Sequence, residues 1–312
     1  MKIAVTGALG HIGSRLVREL PDHFPCCEVV MIDDLSNMRF PSLFDLPDGA
    51  KYRFIEADVT SVDLEPLLDG VDVVVQLAAI TDAARSFDRK DETERVNLTA
   101  TSRIAAACAK LGIRLIHPSS TSVYGTQNEV VDEECGADEL APQSPYAETK
   151  LREETLLRDL GAEQGLKFVS CRFGTIYGPS PGMRFHTAVN KFCWQAVMGQ
   201  KLSVWTTAYD QKRPYLDLGD CIRAVAHIIR NDLFDGRVYN VLSINCTVRQ
   251  VVDAIRVHIP DLEVGFVDAR IMNQLSYEVA NNRFRDTGFT FSGKLEEGIQ
   301  STMRLLQRAN QR

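Results

Sequence analysis

Short apolar segments alternate with segments of helical periodicity through the first half of this 312-residue chain. The apolar segments are residues 3–6, 29–32, 52–56, 71–77, 114–117 and 168–172. The stretches of helical periodicity between them are residues 11–20, 92–111 and 146–160. Strands that are apolar on both faces, with helices between them, indicate a parallel sheet covered on both sides. The sequence therefore predicts an α/β fold with a doubly wound parallel sheet.

The first apolar strand leads directly into a glycine-rich turn and then into a helix. Glycine permits the positive φ that a tight strand-to-helix turn needs. A helix N-terminus with no Cβ in the way can receive a diphosphate on its backbone N–H groups. The turn therefore predicts a Rossmann-type dinucleotide site. Its cofactor-binding residues are Gly7, Leu9, Gly10, His11, Ile12 and Gly13.

The second predicted strand ends at Asp33, 26 residues after Gly7. A carboxylate there can accept hydrogen bonds from the adenosine ribose hydroxyls and repels a 2′-phosphate. Asp33 and Asp34 together favour NAD as the cofactor, and the nearby Arg39 keeps NADP as an alternative. The next strands also end at the ligand crevice of such a sheet. We therefore expect further cofactor contacts from Asn37, Asp58, Val59, Leu77, Ala78 and Ala79.

The second half of the sequence has shorter elements and more frequent Pro and Gly residues. We predict an NAD-binding Rossmann domain over residues 1–178, with residues 217–241 threading back into it through the apolar segment 238–241. Residues 179–216 and 242–312 are expected to form a smaller substrate-binding lobe at the C-terminal side.

Composition argues against several classes of function. The net charge of −7 lacks the basic footprint that non-specific nucleic-acid binding needs. The eight cysteines form no CxxC pair and no Cys/His metal spacing, so we expect reduced thiols and no bound metal. No apolar run reaches membrane-spanning length, and the first strand begins at Lys2. We therefore expect a cytoplasmic protein with neither a signal peptide nor a membrane partner.

A tyrosine and a lysine, Tyr146 and Lys150, lie four residues apart on one face of a predicted helix. A phenol with an ordinary pKa near ~10 is a poor base at pH 7. An ammonium group one turn away lowers that pKa and makes the tyrosine a usable proton shuttle. Ser120 follows the strand 114–117 and places a hydroxyl at the carboxyl edge of the sheet, 26 residues before Tyr146. These residues predict a catalytic set of Ser120, Tyr146 and Lys150.

Together these motifs resemble the extended branch of the short-chain dehydrogenase/reductase family, which contains nucleotide-sugar epimerases, dehydratases and reductases. The likeness covers nearly the whole chain. Beyond the motifs above it includes Asn97, the Ser-Ser-x-x-Val-Tyr-Gly run 119–125, Arg172, the Tyr-Gly-Pro run 177–179, Arg213 and Asp220.

The resemblance implies that Tyr146 takes the proton of a sugar hydroxyl while the hydrogen on C4 passes as hydride to nicotinamide. Ser120 would hydrogen-bond the reacting oxygen. Lys150 would bind the nicotinamide ribose and tune Tyr146, so Tyr146 and Lys150 also count as cofactor-binding residues, together with Asn97.

Two positions after the catalytic serine bear on the branch of the family. Dehydratases carry an Asp-Glu pair there, and related decarboxylases keep a Glu at the second position, whereas this chain has Thr121 and Ser122. An epimerase needs only hydride removal, rotation of the keto-sugar and return of the hydride to the other face. The resemblance therefore favours an NAD-dependent nucleotide-sugar epimerase that acts at C4 through a 4-keto intermediate.

Other activities stay open. The same three catalytic residues serve an NAD(P)-dependent reductase or dehydrogenase of a keto-sugar or small metabolite, and a nucleotide-sugar dehydratase is a further alternative. A non-catalytic cofactor sensor is disfavoured, because such proteins usually lose the tyrosine or the lysine, and this chain keeps both.

The resemblance also implies a set of substrate-binding residues: Thr81, Asp82, Ser120, Thr121, Tyr146, Thr175, Trp205 and Arg213. Arg213 matches an arginine that grips the diphosphate, as a planar guanidinium can. Trp205 matches an aromatic residue beside the nucleotide base, although a place in the core of the lobe is an equal alternative. Thr175 replaces the family's asparagine, and the second diphosphate arginine falls on Met272, with Arg270 two residues away.

The expected partner is a nucleotide-sugar. The resemblance further implies a homodimer, with the helices at residues 92–111 and 146–160 packing against their symmetry mates. Both stretches contain enough apolar positions for a second buried face.

Overall fold

The structure is a computed structural model that describes residues 1–82, 85–125, 130–136, 139–267 and 276–309. In chain order the strands are β1 (Lys2–Thr6), β2 (Glu28–Asp33), β3 (Lys51–Glu56), β4 (Val73–Gln76), β5 (Arg114–Ser120), β6 (Val130–Val131), β7 (Phe168–Phe173), β8 (Thr175–Tyr177), β9 (Leu202–Trp205), β10 (Lys212–Asp217), β11 (Val238–Val241), β12 (Ile244–Thr247), β13 (Val264–Val267) and β14 (Glu278–Val279). The helices are α1 (Gly13–His23), α2 (Glu65–Leu68), α3 (Lys90–Leu111), α4 (Pro145–Gln164), α5 (Ala188–Val197), α6 (Leu218–Arg230), α7 (Val248–Arg256), α8 (Asn282–Arg285) and α9 (Leu295–Leu306).

The main sheet has seven strands in the order β11-β7-β5-β4-β1-β2-β3. All of its neighbouring strands run parallel. The chain moves outward from β1 to β2 and β3 and then crosses to β4 on the other side of β1. In such a sheet the carboxyl ends of the two strands at this reversal flank a ligand crevice. The predicted doubly wound parallel fold is confirmed.

Helices cover both faces of the sheet, which explains why its strands are apolar on both faces. Along β2, Val29 and Met31 belong to a buried cluster that includes residues of α1 and α6. The alternate residues Val30 and Ile32 belong to a second cluster that includes residues of α3 and α4. This period of two follows from the pleat of the strand.

Local sequence defines both ends of α4. The side chain of Ser144 accepts a hydrogen bond from the Ala147 N–H at 3.2 Å, and Pro145 occupies the first turn, where its missing N–H costs no helical bond. Gly165 ends the helix with a left-handed φ of 69°. Tyr146 therefore lies in the rigid first turn of α4.

The last strand of the main sheet, β11, pairs with β7 so that Tyr239 lies opposite Cys171. The chain thus returns to the sheet after α6. A separate buried cluster joins α5, α7 and α9 to β9 and β10. Most residues of this cluster belong to the predicted substrate-binding lobe, and the division of the chain into domains stays a prediction.

The outward side of α4, a helix that the structure describes throughout, is polar. Its exposed side chains include Glu148, Arg152 and Arg158, and Arg152 forms an ion pair with Glu94 of α3. Apolar residues such as Leu157 are used against the sheet instead. α4 therefore does not present the second apolar face that was expected for a homodimer, and the dimer stays a prediction.

Three further observations concern the described residues. None of their helices is both long and apolar enough to cross a bilayer. No group of three or more His, Cys, Asp or Glu side chains among them could hold a metal ion. The cysteines are free thiols, and most of them are buried.

Candidate active site

The turn after β1 can be formed only with glycine at two of its positions. Gly7 has a φ of 64°, and a Cβ there would lie 2.6 Å from the carbonyl carbon of Leu77. At Gly13 a Cβ would lie 2.5 Å from the Gly7 carbonyl oxygen. The turn therefore packs directly on the end of β4, and the N-terminus of α1 packs directly on the turn. The resulting cradle of backbone N–H groups fits the diphosphate of a dinucleotide.

Asp33 ends β2 beside this turn. Its carboxylate accepts hydrogen bonds from the N–H groups of Leu9 and Leu35, both at 3.0 Å. Burial raises the pKa of Asp33, and these two backbone bonds act in the opposite direction. The carboxylate is thereby held at the carboxyl edge of the sheet, and each oxygen keeps a lone pair for a ribose hydroxyl.

A cavity of about 620 Å³ extends along the carboxyl ends of β1, β2 and β4. This volume lies in the range of cofactor sites, about 300–1,000 Å³. The predicted cofactor residues that line it are Gly7, Gly10, His11, Ile12, Gly13, Asp33, Asp34, Asn37, Asp58, Val59, Leu77, Ala78 and Ala79.

Four predicted cofactor residues do not line the cavity: Leu9, Asn97, Tyr146 and Lys150. Leu9, Asn97 and Lys150 are buried. The Leu9 N–H binds Asp33, as described above. The Asn97 side chain binds the backbone of Ile80 twice, accepting from its N–H at 2.8 Å and donating to its carbonyl at 2.9 Å. Leu9 and Asn97 thus help to shape the cavity wall, and their direct contact with NAD stays a prediction.

The structure brings the three predicted catalytic residues together. Ser120 is the last residue of β5, and its side chain is close enough to the Tyr146 phenol to affect the pKa of that group. The Lys150 ammonium lies one helical turn from Tyr146, 5.9 Å from the centre of its ring. A strand end and a helix start therefore present a hydroxyl, a phenol and an ammonium group to one another.

Charges near Tyr146 oppose the effect of burial. Burial raises the pKa of Tyr146 above its ordinary value and Glu153 raises it further, whereas Lys150, Arg184 and the nearby Ser120 hydroxyl act to lower it. Burial alone would lower the pKa of Lys150, but the Glu153 carboxylate and Tyr146 raise it above its ordinary value. Lys150 is therefore charged at neutral pH and can stabilise a Tyr146 phenolate.

The two residues after Ser120 differ in orientation. The Ser122 hydroxyl lies 2.8 Å from that of Ser120, and the Ser122 N–H also donates to the Ser120 hydroxyl at 3.2 Å. The buried Thr121 hydroxyl instead donates to the Phe173 carbonyl at 3.2 Å. The Thr121 hydroxyl is therefore bound to the end of β7, and contact of Thr121 with substrate stays a prediction.

Comparison with known proteins agrees with this geometry. The sequence profile of the NAD dependent epimerase/dehydratase family matches residues 3–241. The chain belongs to this family. NAD is its cofactor, as in the structures of related NAD complexes.

Individual relatives of the family span different lengths. The UDP-glucose 4-epimerase of Mycolicibacterium smegmatis is 30% identical over the whole of both chains. A trifunctional UDP-glucose 4,6-dehydratase/UDP-4-keto-6-deoxy-D-glucose 3,5-epimerase/UDP-4-keto-L-rhamnose-reductase of Arabidopsis thaliana is 28% identical over 96% of this chain. The chain spans 46%, about half, of that relative's length. The structure of MoeE5 in complex with UDP-glucuronic acid and NAD has a TM-score of 0.85 and 28% identity, with 99% of this chain and 100% of that chain covered.

In this member of the family, two of the predicted substrate residues, Thr81 and Asp82, line the cavity. Sequence reasoning missed Arg184 and His186, which line it too. The Arg184 guanidinium donates to the Thr81 hydroxyl and contributes to lowering the pKa of Tyr146. Two basic residues directly after the Pro- and Gly-rich run 178–182 were the sequence signal that could have pointed to them.

Three other predicted substrate residues lie in the small sheets and do not line this cavity. Thr175 pairs with Tyr215 across β8 and β10, and Trp205 ends β9. Arg213 donates to the carbonyl of Lys212 at 2.9 Å. Their contact with substrate stays a prediction. Arg270 and Met272 lie outside the described residues.

A buried polar network connects α4 to the sheet. Arg172 on β7 forms two hydrogen bonds with the Glu154 carboxylate, at 2.9 and 2.7 Å, and a third with the Tyr124 hydroxyl at 2.9 Å. Tyr124 also donates to Asn240 on β11 at 2.8 Å. The network fixes the helix that carries Tyr146 and Lys150 to β7 and β11 of the sheet.

Proposed function

We propose that the protein is an NAD-dependent nucleotide-sugar epimerase that acts at C4 of the sugar. The observation that carries this proposal is the surroundings of Ser120. Its hydroxyl adjoins the Tyr146 phenol and the Ser122 hydroxyl, and Ser122 stands where the resemblance places an acid in dehydratases and decarboxylases. Relatives that act on or bind UDP-sugars support the substrate class.

Bound NAD supplies a hydride acceptor at its nicotinamide ring. The Tyr146 phenolate takes the proton from the 4-hydroxyl of the sugar as the hydrogen on C4 leaves with its electron pair. The Ser120 hydroxyl donates a hydrogen bond to the same oxygen, which becomes the carbonyl of a 4-keto sugar. Lys150 stabilises the phenolate before this step. Tyr146 returns the proton when hydride comes back to the other face of C4.

An elimination would need a further acid and base beside the sugar. Two carboxylates follow Lys150 on α4, but Glu153 pairs with Lys150 at 2.8 Å and Glu154 pairs with Arg172 at 2.7 Å. Both carboxylates are buried, and each forms an ion pair with a cationic side chain. The arrangement therefore favours simple transfer and return of hydride over dehydration.

The second candidate function is an NAD(P)-dependent reductase or dehydrogenase of a keto-sugar or small metabolite. The same three catalytic residues would serve it, and Arg213 lies outside the cavity that the structure describes. The two functions differ in stoichiometry, because an epimerase regenerates its cofactor whereas a reductase consumes one reduced cofactor per product.

The test incubates the enzyme with a catalytic amount of NAD and individual UDP- and dTDP-sugars, and NMR identifies the products. We expect one C4 epimer to form while absorbance at 340 nm stays flat. Formation of product with stoichiometric consumption of NADH would overturn the epimerase proposal and support the reductase. Loss of water from the sugar would identify a dehydratase.

A further inference from the structure

Next to Lys150 lies a cluster of ionisable side chains that bridges α4 and β5. The Lys150 ammonium donates to Glu153 Oε2 at 2.8 Å, and His117 Nε2 lies 3.2 Å from the same oxygen. Lys150 is 4% exposed, and Glu153 and His117 are 0% exposed. Nothing in hydride transfer itself requires Glu153 or His117.

Stability does not explain this cluster. Among the described residues, Glu153 Oε1 and both ring nitrogens of His117 have no hydrogen-bond partner. The adjacent Glu154 differs, since both of its oxygens are bound by Arg172. Buried polar atoms without partners are rare and costly, and apolar residues at such positions are often more stabilising than a buried ion pair.

The charges in the cluster can be assigned. Burial lowers the pKa of His117, so its ring is neutral. Burial would raise the pKa of Glu153, but Lys150 and His117 outweigh burial and lower this pKa to about 2. Glu153 is thus a buried anion whose strongest partner is the ammonium group that faces Tyr146.

We propose that Glu153 is a positioning residue for proton transfer, which holds the proton on Lys150 so that the coupled Tyr146–Lys150 pair gives up its proton from the phenol. The neutral His117 ring packs beside the Glu153 carboxylate, with Nε2 3.2 Å from Oε2. When the pair loses one proton, the O–H bond of Tyr146 breaks and an ammonium remains beside a phenolate. This inference rests on the proposed function, in which that phenolate takes the proton of the sugar.

Other charged groups also act on the pair. Some of these groups change the pKa of Tyr146 or Lys150 directly, and others neutralise a group that does. They are Glu153 and Glu154 on α4, His117 on β5, Arg172 on β7 and Arg184 after β8. Glu154 is neutralised by Arg172, and Arg184 faces Tyr146 more than Lys150. Glu153 is therefore the anion that acts most directly on the ammonium.

Glu153→Gln should change the pH profile of turnover in two ways. Removal of a nearby negative charge makes the Tyr146–Lys150 pair lose its proton at lower pH, by about one pH unit or more. The remaining proton then resides more on the phenol and less on Lys150, so the plateau of kcat should also fall. Glu153→Asp keeps the negative charge, so the midpoint of its pH profile and its plateau kcat should both lie close to those of the unsubstituted enzyme.

The matched control is Asp159→Asn, which removes one negative charge from an exposed position on the same helix. Its pH profile should superimpose on that of the unsubstituted enzyme. A Glu153→Gln profile of unchanged midpoint, with only a lower melting temperature, would show that Glu153 is merely structural and would overturn the proposal.

A second experiment needs no turnover. In Lys150→Met, the buried Glu153–His117 pair lacks its cation, and the folded protein must therefore hold a proton on this pair. The unfolded chain releases that proton above about pH 6.5, the ordinary pKa of histidine. A pKa raised by folding adds stability at low pH and loses it as pH rises. The melting temperature of Lys150→Met should therefore rise as pH falls from about 8 to 6, and Lys150→Met/Glu153→Gln should abolish this dependence.

Equal pH dependence of the single and double variants would overturn the charge coupling, whatever reaction the enzyme catalyses. Conversely, a positive result here combined with no epimerisation of any nucleotide-sugar would reject the proposed function and leave the coupling of Glu153 to Lys150 intact.

Discussion

The Ser122 hydroxyl lies 2.8 Å from the Ser120 hydroxyl. This contact links the catalytic serine to the residue that stands in place of an acid. Ser122→Ala should lower kcat about 2- to 10-fold, because one net hydrogen bond contributes about 0.5–1.5 kcal/mol. Steady-state kinetics will measure the effect, with Ser120→Ala expected to be the more severe variant. A fall in kcat for Ser122→Ala that matches Ser120→Ala would mean that Ser122 itself contacts the reacting oxygen.

Tyr146→Phe should bind NAD normally but lose about 10²- to 10⁴-fold in kcat, since the phenol hydroxyl is the group that exchanges the proton. Fluorescence titration with NAD and an NMR assay of turnover separate the two properties. The half-buried Tyr209→Phe in the lobe serves as the control for loss of a phenol hydroxyl. Turnover near normal in Tyr146→Phe would reject the assignment of the catalytic set.

The enzyme should bind NAD more tightly than NADP, because Asp33 is held by two backbone bonds of 3.0 Å at the edge of β2. Asp33→Asn should weaken NAD binding about tenfold through loss of a charge-assisted hydrogen bond. Calorimetric titration of both cofactors measures the preference. Tighter binding of NADP to the unsubstituted enzyme would point to Arg39 as the residue that selects the cofactor.

Arg213→Ala should raise the KM for the nucleotide-sugar about 10- to 100-fold while NAD affinity stays unchanged, if Arg213 binds the diphosphate. Arg249→Ala is the matched control, since Arg249 is an exposed arginine of the same lobe that pairs with Asp210 at 2.6 Å. An unchanged KM in Arg213→Ala would favour a small metabolite as substrate.

Acid should destabilise the protein partly through His11. Burial lowers the pKa of this residue from 6.5 to about 3. A pKa lowered by folding gives stability that is present above pH 6.5 and lost as pH falls toward 3. The drop in melting temperature between pH 7 and pH 4 should therefore be smaller in His11→Gln than in the exposed control His258→Gln. Identical pH dependence in the two variants would show that His11 is not buried as the neutral form.

Local features of the sequence determined most of the fold. The alternation of apolar and helical segments predicts the strands of the main sheet, and the spacing of Tyr146 and Lys150 predicts one helical face, because each depends on the geometry of a single element. The predicted end of β5 was wrong by three residues, because a proline usually marks the end of a strand. The backbone nitrogen of Pro118 faces β4, and β4 has already ended at Gln76. The missing N–H of Pro118 therefore breaks no hydrogen bond between the strands.

Only the tertiary structure decided which polar groups meet. Thr121 was expected at the substrate, but its hydroxyl faces β7, and Arg184 reaches the cavity from a loop more than 30 residues after Tyr146. Glu153 and His117 meet across a helix and a strand. Periodicity shows which side of one element is buried, whereas contacts between elements depend on how those elements pack. The sequence by itself therefore determined the fold and predicted the cofactor turn and the catalytic set, and packing decided the charges around them.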